Sequence, residues 1–240
     1  MAQKKVWENE YRKTQLIVES ETPRQDVKDF VRFLRKQEGV VLEGLSILDL
    51  GCGTGKNSVF LAKRGNNVVG IDISETAIQK VQKFVENFSL SADYRVGNIG
   101  EPYPFEDGHF DIVLDVMSSN SLDEKERAIY LKEVHRVLRP GGYFFVRALC
   151  KEGDKNAKNL VKMYPGPEKD TYTVPDIGLT ERVFTEDDFR RLYEPFFEIM
   201  KLEKKTNYAT FQGQTYKRNY WLAYIKKRLC CINDFNALLS

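Results

Sequence analysis

The sequence predicts a doubly wound α/β fold. Its core is a seven-stranded, mostly parallel sheet with an antiparallel C-terminal strand pair, an N-terminal helical extension and an insertion after the fifth strand. Three observations lead there. Short apolar runs such as SILDL (46–50) and FDIVLDV (110–116) have the continuous hydrophobicity of strands buried on both faces. Helical patterns alternate with these runs, which is the rhythm of a parallel sheet with right-handed crossovers. Between the first strand and its helix lies ILDLGCGTGKN (47–57), where glycine takes every second position from 51 to 55.

The elements follow in order. Thr22, Pro23 and Gln25 supply an N-cap, a first-turn proline and a capping-box partner; Val27, Phe30, Val31 and Leu34 follow at helical spacing, and Gly39 ends the helix. SILDL is the first strand, and a helix from about Lys56 to Arg64 leads to a second strand, NVVGI (67–71). Ser74 opens the next helix, with Ile78, Val81, Val85 and Phe88 facing inward. A short strand near Tyr94 to Val96 and the longer FDIVLDV come next. Asp123 and Glu126 form a capping box for a helix whose Leu131, Val134 and Leu138 share a face, and RPGG (139–142) stops it. GYFFVRAL (142–149) is the fifth strand. From Lys151 to Thr180, Pro165, Pro167 and Pro175 with little periodicity predict a long irregular insertion. A capped helix from Thr185 to Tyr193 precedes EIMKLEK and YWLAYIK, which form the closing antiparallel pair.

With 37 basic and 35 acidic residues, the formal net charge of +2 gives no global footprint for nucleic acid. No apolar stretch approaches the roughly 20 residues that span a bilayer, and MAQKKVWENEYRK lacks a hydrophobic signal core. The expectation is a cytoplasmic protein with no membrane partner. The four cysteines show no C-x-x-C spacing, so reduced thiols and no metal site are expected. Adjacent Cys230 and Cys231 read as two small hydrophobes in a tail, or alternatively as a lipidation site or vicinal redox pair.

The glycine loop resembles two phosphate-binding loops and matches neither. G-x-x-x-x-G-K-[ST] fits Gly55 and Lys56 but fails at Leu50 and Asn57, and G-x-G-x-x-G counted from Gly51 fails at Lys56. What remains is D-x-G-x-G-x-G, from Asp49 through Gly51, Gly53 and Gly55. An acidic residue ahead of a stripped-down turn would repel a pyrophosphate and attract a cation. The expected ligand is a nucleoside bearing a positive group.

LDLGCGTG (48–55) and GIDIS (70–74), with FDIVLDV and LRPGGYFFV (138–146), resemble the Rossmann-like class I S-adenosylmethionine-dependent methyltransferases, particularly the type 11 small-molecule enzymes. The resemblance covers about Trp7 to Lys226. It implies S-adenosyl-L-methionine as cofactor, S-adenosyl-L-homocysteine as product, and a glycine loop under the methionine part, with Asp49, Gly51, Cys52, Gly53, Gly55 and Asn57 as its residues. It also implies that Asp72, 19 residues after Gly53, grips both ribose hydroxyls beside Ile73. Asn98 stands where the family usually places an acid on the adenine amino group, with Ile99 against the ring. Trp7 and Tyr11, one helical turn apart, either lend their rings to the cofactor or pack a leading helix. Within a single domain of residues 1–240, this implies a helical extension (1–44), a cofactor-binding core (45–150), an insertion or lid (151–180), a C-terminal helix and closing strands (181–226) and a tail (227–240).

Methyl transfer is an in-line displacement at a carbon activated by the sulfonium, so alignment alone can contribute roughly 7–11 kcal/mol and a strong base is optional. His109 and His135 read as structural. Open α/β sheets bind ligands outside the carboxyl ends of their strands, which makes Asp115, Ser118, Ser119 and Asn120 the best-placed polar groups near the transferring methyl; capping of the following helix is their other reading. Asp115 is counted with the cofactor site as well. The insertion offers Tyr164 and Arg182 to the acceptor, and NYATFQGQTYKRNYWLAY (207–224) offers Tyr208 and Arg218, though alternation around closing strands explains the latter pair equally. D/N-P-P-Y and the Pro-Cys pair of base methylation are absent, so nucleic acid is not the expected partner. The expected function is methylation of a small molecule. The alternatives are a noncatalytic cofactor sensor or scaffold, and an enzyme acting on RNA or protein. Acceptor atom and oligomeric state are not legible.

Overall fold

The computed structural model describes residues 3–13, 22–86, 88, 90–211 and 214–229. In chain order the elements are α1 (Lys4–Arg12), α2 (Gln25–Gln37), β1 (Ser46–Leu50), α3 (Lys56–Ala62), β2 (Asn67–Asp72), α4 (Glu75–Val85), β3 (Ala92–Val96) and β4 (Phe110–Val116). They continue with α5 (Glu124–Val137), β5 (Leu138–Leu149), α6 (Lys155–Met163), β6 (Thr171–Thr173), β7 (Thr180–Arg182), α7 (Glu186–Tyr193), β8 (Glu198–Phe211) and β9 (Gln214–Lys226). Seven strands form one sheet in the order β3-β2-β1-β4-β5-β9-β8, and β6 and β7 make a separate antiparallel hairpin. β1 to β5 run parallel, while β9 lies antiparallel to both β5 and β8. The predicted Rossmann-like sheet with its antiparallel closing pair is the observed one.

Both faces of the central sheet are covered, which is why β1, β4 and β5 are largely apolar. On one face Phe30 of α2 packs on Phe145 and Tyr224, with ring centroids 5.1 and 5.2 Å apart. On the other, Tyr130, Phe144 and Phe197 join α5 and the chain after α7 in one buried cluster. Gly70 in β2 has no room for a side chain: a Cβ there would stand 2.6 Å from the Tyr94 ring. Among the described residues no helix is long and apolar enough to cross a membrane.

Several expected details are corrected. Thr22 does not cap α2; Arg24 is the N-cap residue, and its backbone N–H donates to Asn57 Oδ1 at 3.0 Å, so a residue of α3 does the capping. Val31 is half-buried, and Phe88 lies past the end of α4 and is exposed. Leu138 belongs to β5, because α5 stops at Val137. The insertion is not irregular. Asp154 caps α6 by accepting from the Ala157 amide at 2.8 Å, and the β6–β7 hairpin closes the segment. Ser74, Asp123 and Thr185 are N-caps as expected, with the full capping box at Asp123 and Glu126. Cys230 and Cys231 lie outside the described residues.

Candidate active site

A cavity of about 780 Å³ opens at the carboxyl ends of β1, β2, β4 and β5 and runs on to the β6–β7 hairpin and β9. This is towards the upper end of the roughly 300–1,000 Å³ of small-molecule sites.

The glycine loop forms its floor. Gly51, Gly53 and Gly55 have φ of +66°, +56° and +78°, the left-handed region that side chains avoid. Their neighbours add a second reason. A Cβ at Gly51 would overlap Ser118 Oγ, one at Gly53 would stand 2.5 Å from the Tyr11 hydroxyl, and one at Gly55 would overlap Val81 of α4. Gly51, Cys52 and Gly53 line the cavity; Gly55 does not, because it faces the helix packed beneath.

Asp72 ends β2 and lines the cavity. Its Oδ2 accepts from the Gly53 amide at 2.8 Å and its Oδ1 from the Ser74 amide at 2.9 Å, so one carboxylate ties the glycine loop to the start of α4. Each oxygen has a further lone pair, which suits a vicinal diol. Burial pushes this carboxyl up to about 6, against the Ser74 and Gly53 amides, which favour the charged form. Asp49 is set differently. It lies under the loop, 1% exposed and outside the cavity lining, with Oδ2 lacking any hydrogen-bond partner among the described residues. Burial drives its carboxyl up to about 7. Asp49, expected at the ligand, is therefore placed beneath the loop and not on the cavity wall.

The polar groups after β4 divide. Asp115 is fully buried; it accepts from Ser118 N–H at 2.9 Å and from the Tyr130 hydroxyl at 2.6 Å, and does not reach the cavity. Asn120 accepts from Leu149 N–H at 3.0 Å and donates to Met117 O at 3.2 Å, pinning the turn to β5. Neither can touch a methyl acceptor, and only Ser118 of the three catalytic candidates lines the cavity. The turn they hold puts Met117 at φ +76° with its residue on the cavity wall, a strained conformation of the kind found at functional sites.

At the other end Ile73, Asn98 and Ile99 line the cavity, as does Asn57 near the loop. Asn98 accepts from the Gly100 amide at 2.9 Å and donates to Glu126 at 3.4 Å. Glu126 itself lines the cavity, so a carboxylate stands beside Asn98 there. Its part in the capping box concealed this second position.

Trp7 and Tyr11 of α1 line the cavity with ring centroids 6.4 Å apart. Glu8 docks α1 by accepting from the Ser74 hydroxyl at 2.7 Å and the Thr76 hydroxyl at 2.5 Å. Burial pushes the Glu8 carboxyl up, but these hydrogen bonds outweigh it and hold it down to about 2. Gln3 reaches across the mouth, donating to Ser121 O at 3.0 Å and Thr180 O at 2.5 Å and accepting from Thr180 N–H at 3.1 Å.

Of the expected acceptor residues, Tyr208 and Arg218 line the cavity and Tyr164 and Arg182 do not. Tyr164 follows α6 on the outer surface at 39% exposure. Arg182 neighbours Glu181 on β7, and side chains alternate along a strand, so Glu181 faces the cavity while Arg182 turns to the Phe184 ring. Arg24, Lys56, Arg147 and Glu181 are lining residues that sequence reasoning missed. Arg147 alone carried a signal, as a lone charge in the apolar run GYFFVRAL.

Residues 47–142 match a family described as a methyltransferase domain. The 2-methyl-6-phytyl-1,4-hydroquinone methyltransferase of Synechocystis is 34% identical over 130 residues, which are 53% of this chain and 40% of that one. The demethylmenaquinone methyltransferase of Lactococcus lactis is 36% identical over 115 residues, 46% of this chain and 43% of that one. A solved SAM-dependent methyltransferase from Methanosarcina mazei shares the fold with a TM-score of 0.69 at 27% identity, covering 80% of this chain and 97% of the other. The chain spans less than half the length of the two curated relatives. Sheet order, glycine loop and the domain matched over residues 47–142 support a likeness to the class I S-adenosylmethionine-dependent methyltransferases. The residues present fit that cofactor: a buried diol-accepting carboxylate at Asp72, a backbone cradle at Gly51 and Gly53, and a buried, partnerless carboxylate oxygen at Asp49 beneath it.

Proposed function

We propose that this protein transfers a methyl group from S-adenosyl-L-methionine to a small-molecule acceptor by in-line displacement. When bound, the cofactor supplies a methyl carbon already activated by a sulfonium. The chain's own residues do the rest: Asp72 accepts from the ribose hydroxyls, Glu126 and Asn98 face the base, and Trp7 and Tyr11 cover the cavity and exclude water. Met117 and Ser118 line the cavity after β4, so they orient the acceptor against the glycine loop. No histidine lines the cavity among the described residues. Positioning and exclusion of water therefore carry the rate, as a displacement on an activated carbon allows.

The observation that carries this reading is one continuous cavity that is lined by Asp72 at the end of β2 and runs on to Arg147, Leu149, Arg218 and Tyr220 of β5 and β9. Its enclosure by α1 and the β6–β7 hairpin favours a small acceptor over RNA or protein. Calorimetry with S-adenosyl-L-homocysteine should give micromolar binding. Asp72→Ala should weaken it at least tenfold, since a hydrogen bond to a charged group contributes about 1.5–3 kcal/mol. Retained affinity in that variant, or methylation only of RNA or protein, would remove this reading.

A further inference from the structure

The far end of the cavity is walled by one face of the β5–β9 pair. Arg147 and Leu149 alternate onto that face from β5, and Leu149 pairs with Tyr220 across the ladder. Arg218 lies two residues from Tyr220 on β9, which puts it on the same face. All four line the cavity. The Arg147 guanidinium stacks 3.5 Å above the Tyr220 ring with its side chain 2% exposed. Its Nε donates to Asp26 Oδ2 at 3.0 Å, and Asp26 is shared with Lys205 on its other oxygen, Lys205 also standing 3.9 Å from Asp29. Arg218 is 12% exposed; Nη2 donates to the Tyr172 hydroxyl at 3.0 Å. Its Nε stands 3.5 Å from Asp154 without a hydrogen bond and has no other partner among the described residues.

Arg24 and Lys56 line the cavity as well, and Glu181 is the one carboxylate lining the β5–β9 end among the described residues. Burial, then Arg24 and Arg147, pull the Lys56 ammonium below its usual value, so these three cations act on one another. The cofactor's own carboxylate can answer only part of this charge. Arg24 and Lys56 sit beside the glycine loop, through the Asn57 contact and the start of α3. Arg147 and Arg218 are two and three strands along the sheet from β1.

Resting on the reading above, we infer that the methyl acceptor carries an acidic group, a carboxylate or phosphate, clamped between Arg147 and Arg218 with its body against Tyr220 and Leu149. Planar guanidinium forks match either anion in a bidentate manner. The acid is the handle and not the methylated atom, because an oxygen held by two guanidiniums is a poor nucleophile. Apolar Leu149 and Leu179 beside the cations suit an organic body behind the acid.

The test is a titration of the full chain, saturated with S-adenosyl-L-homocysteine, with benzoate, phenyl phosphate and benzamide. Benzoate or phenyl phosphate should bind at least fivefold more tightly than benzamide, and the better of the two anions identifies the acid. Arg218→Gln should abolish the preference and Arg218→Lys restore part of it, while affinity for S-adenosyl-L-homocysteine stays within twofold. A merely structural Arg218 would lower thermal stability without changing the ratio of acid to amide. Equal binding of all three probes, no binding of either anion, or a preference that survives Arg218→Gln would overturn the inference and leave small-molecule methylation standing. Loss of S-adenosyl-L-homocysteine binding by the unaltered chain would overturn both. The comparison of probes on the unaltered chain decides the matter even where the Gln variant does not fold.

Discussion

Two carboxylates on neighbouring strands differ because both oxygens of Asp72 accept from backbone amides, while one oxygen of Asp49 has no partner among the described residues. Asp72 also keeps a place on the cavity wall, whereas Asp49 lies under the loop. The consequence for pH has a definite sign. Folded Asp49 holds its proton up to about 7 against 3.8 ordinarily, so the folded chain binds more protons than the unfolded one between those values. Stability contributed by this group is full below pH 4 and is lost as pH rises to 7; Asp72, raised to about 6, acts in the same direction. Asp49→Asn should therefore raise the melting temperature at pH 8 and leave it nearly unchanged at pH 4.

The same carboxylate favours a cationic ligand only when ionised. Affinity for S-adenosyl-L-methionine should rise severalfold between pH 6 and 8, while that for the neutral thioether product rises less. Asp49→Asn should erase the difference. Parallel pH profiles for the two ligands in calorimetry would show that Asp49 does not sense the sulfonium.

Helix α1 is held to the site at both ends, by Gln3 across the mouth, by Lys80 Nζ donating to Tyr11 O at 2.8 Å, and by Glu8 between them. Glu8 accepts hydrogen bonds from the Ser74 and Thr76 hydroxyls at the start of α4, the same turn whose Ser74 amide serves Asp72. Glu8→Ala should undock α1, weaken S-adenosyl-L-homocysteine about three- to tenfold and expose Trp7, with little loss of global stability because the sheet is untouched. Trp7 is one of two tryptophans, and Trp221 is buried, so a red-shifted emission in the variant would report the undocking. Unchanged emission and affinity would mean that other contacts hold the helix.

Elements were legible where one physical signal dominated. SILDL and FDIVLDV were read to the residue because strands covered on both faces are apolar without interruption. Ser74, Asp123 and Thr185 marked helix starts because a capping side chain is a local device. Helix α6 was missed because three prolines in the surrounding segment drew attention from Asp154 and the apolar pair Leu160 and Val161. The cap of α2 was misassigned because its true partner, Asn57, is 33 residues away.

At the scale of the whole molecule, the cavity lining at the ends of β1 and β2 was legible in the sequence, while of the far lining Tyr208 and Arg218 were, and Arg147 and Glu181 were not. The first comes from consecutive residues at the ends of β1 and β2, where spacing survives in the sequence. The second is assembled from Arg24 before α2, Arg147 in β5, Glu181 in β7 and Arg218 in β9, which only the sheet order brings together. Alternation along strands then decides which of two adjacent residues faces inward, as between Glu181 and Arg182.

Gln3 joins the N-terminal helix, the turn after β4 and the β6–β7 hairpin through three hydrogen bonds. Traffic through that doorway requires these bonds to break in concert, so chemistry and egress are separate events with separate clocks. Rapid-quench kinetics should show a first turnover faster than those that follow, and Gln3→Ala should shrink that burst by speeding the departure of spent nucleoside. A linear onset in the unaltered chain would mean the doorway stands open throughout the cycle.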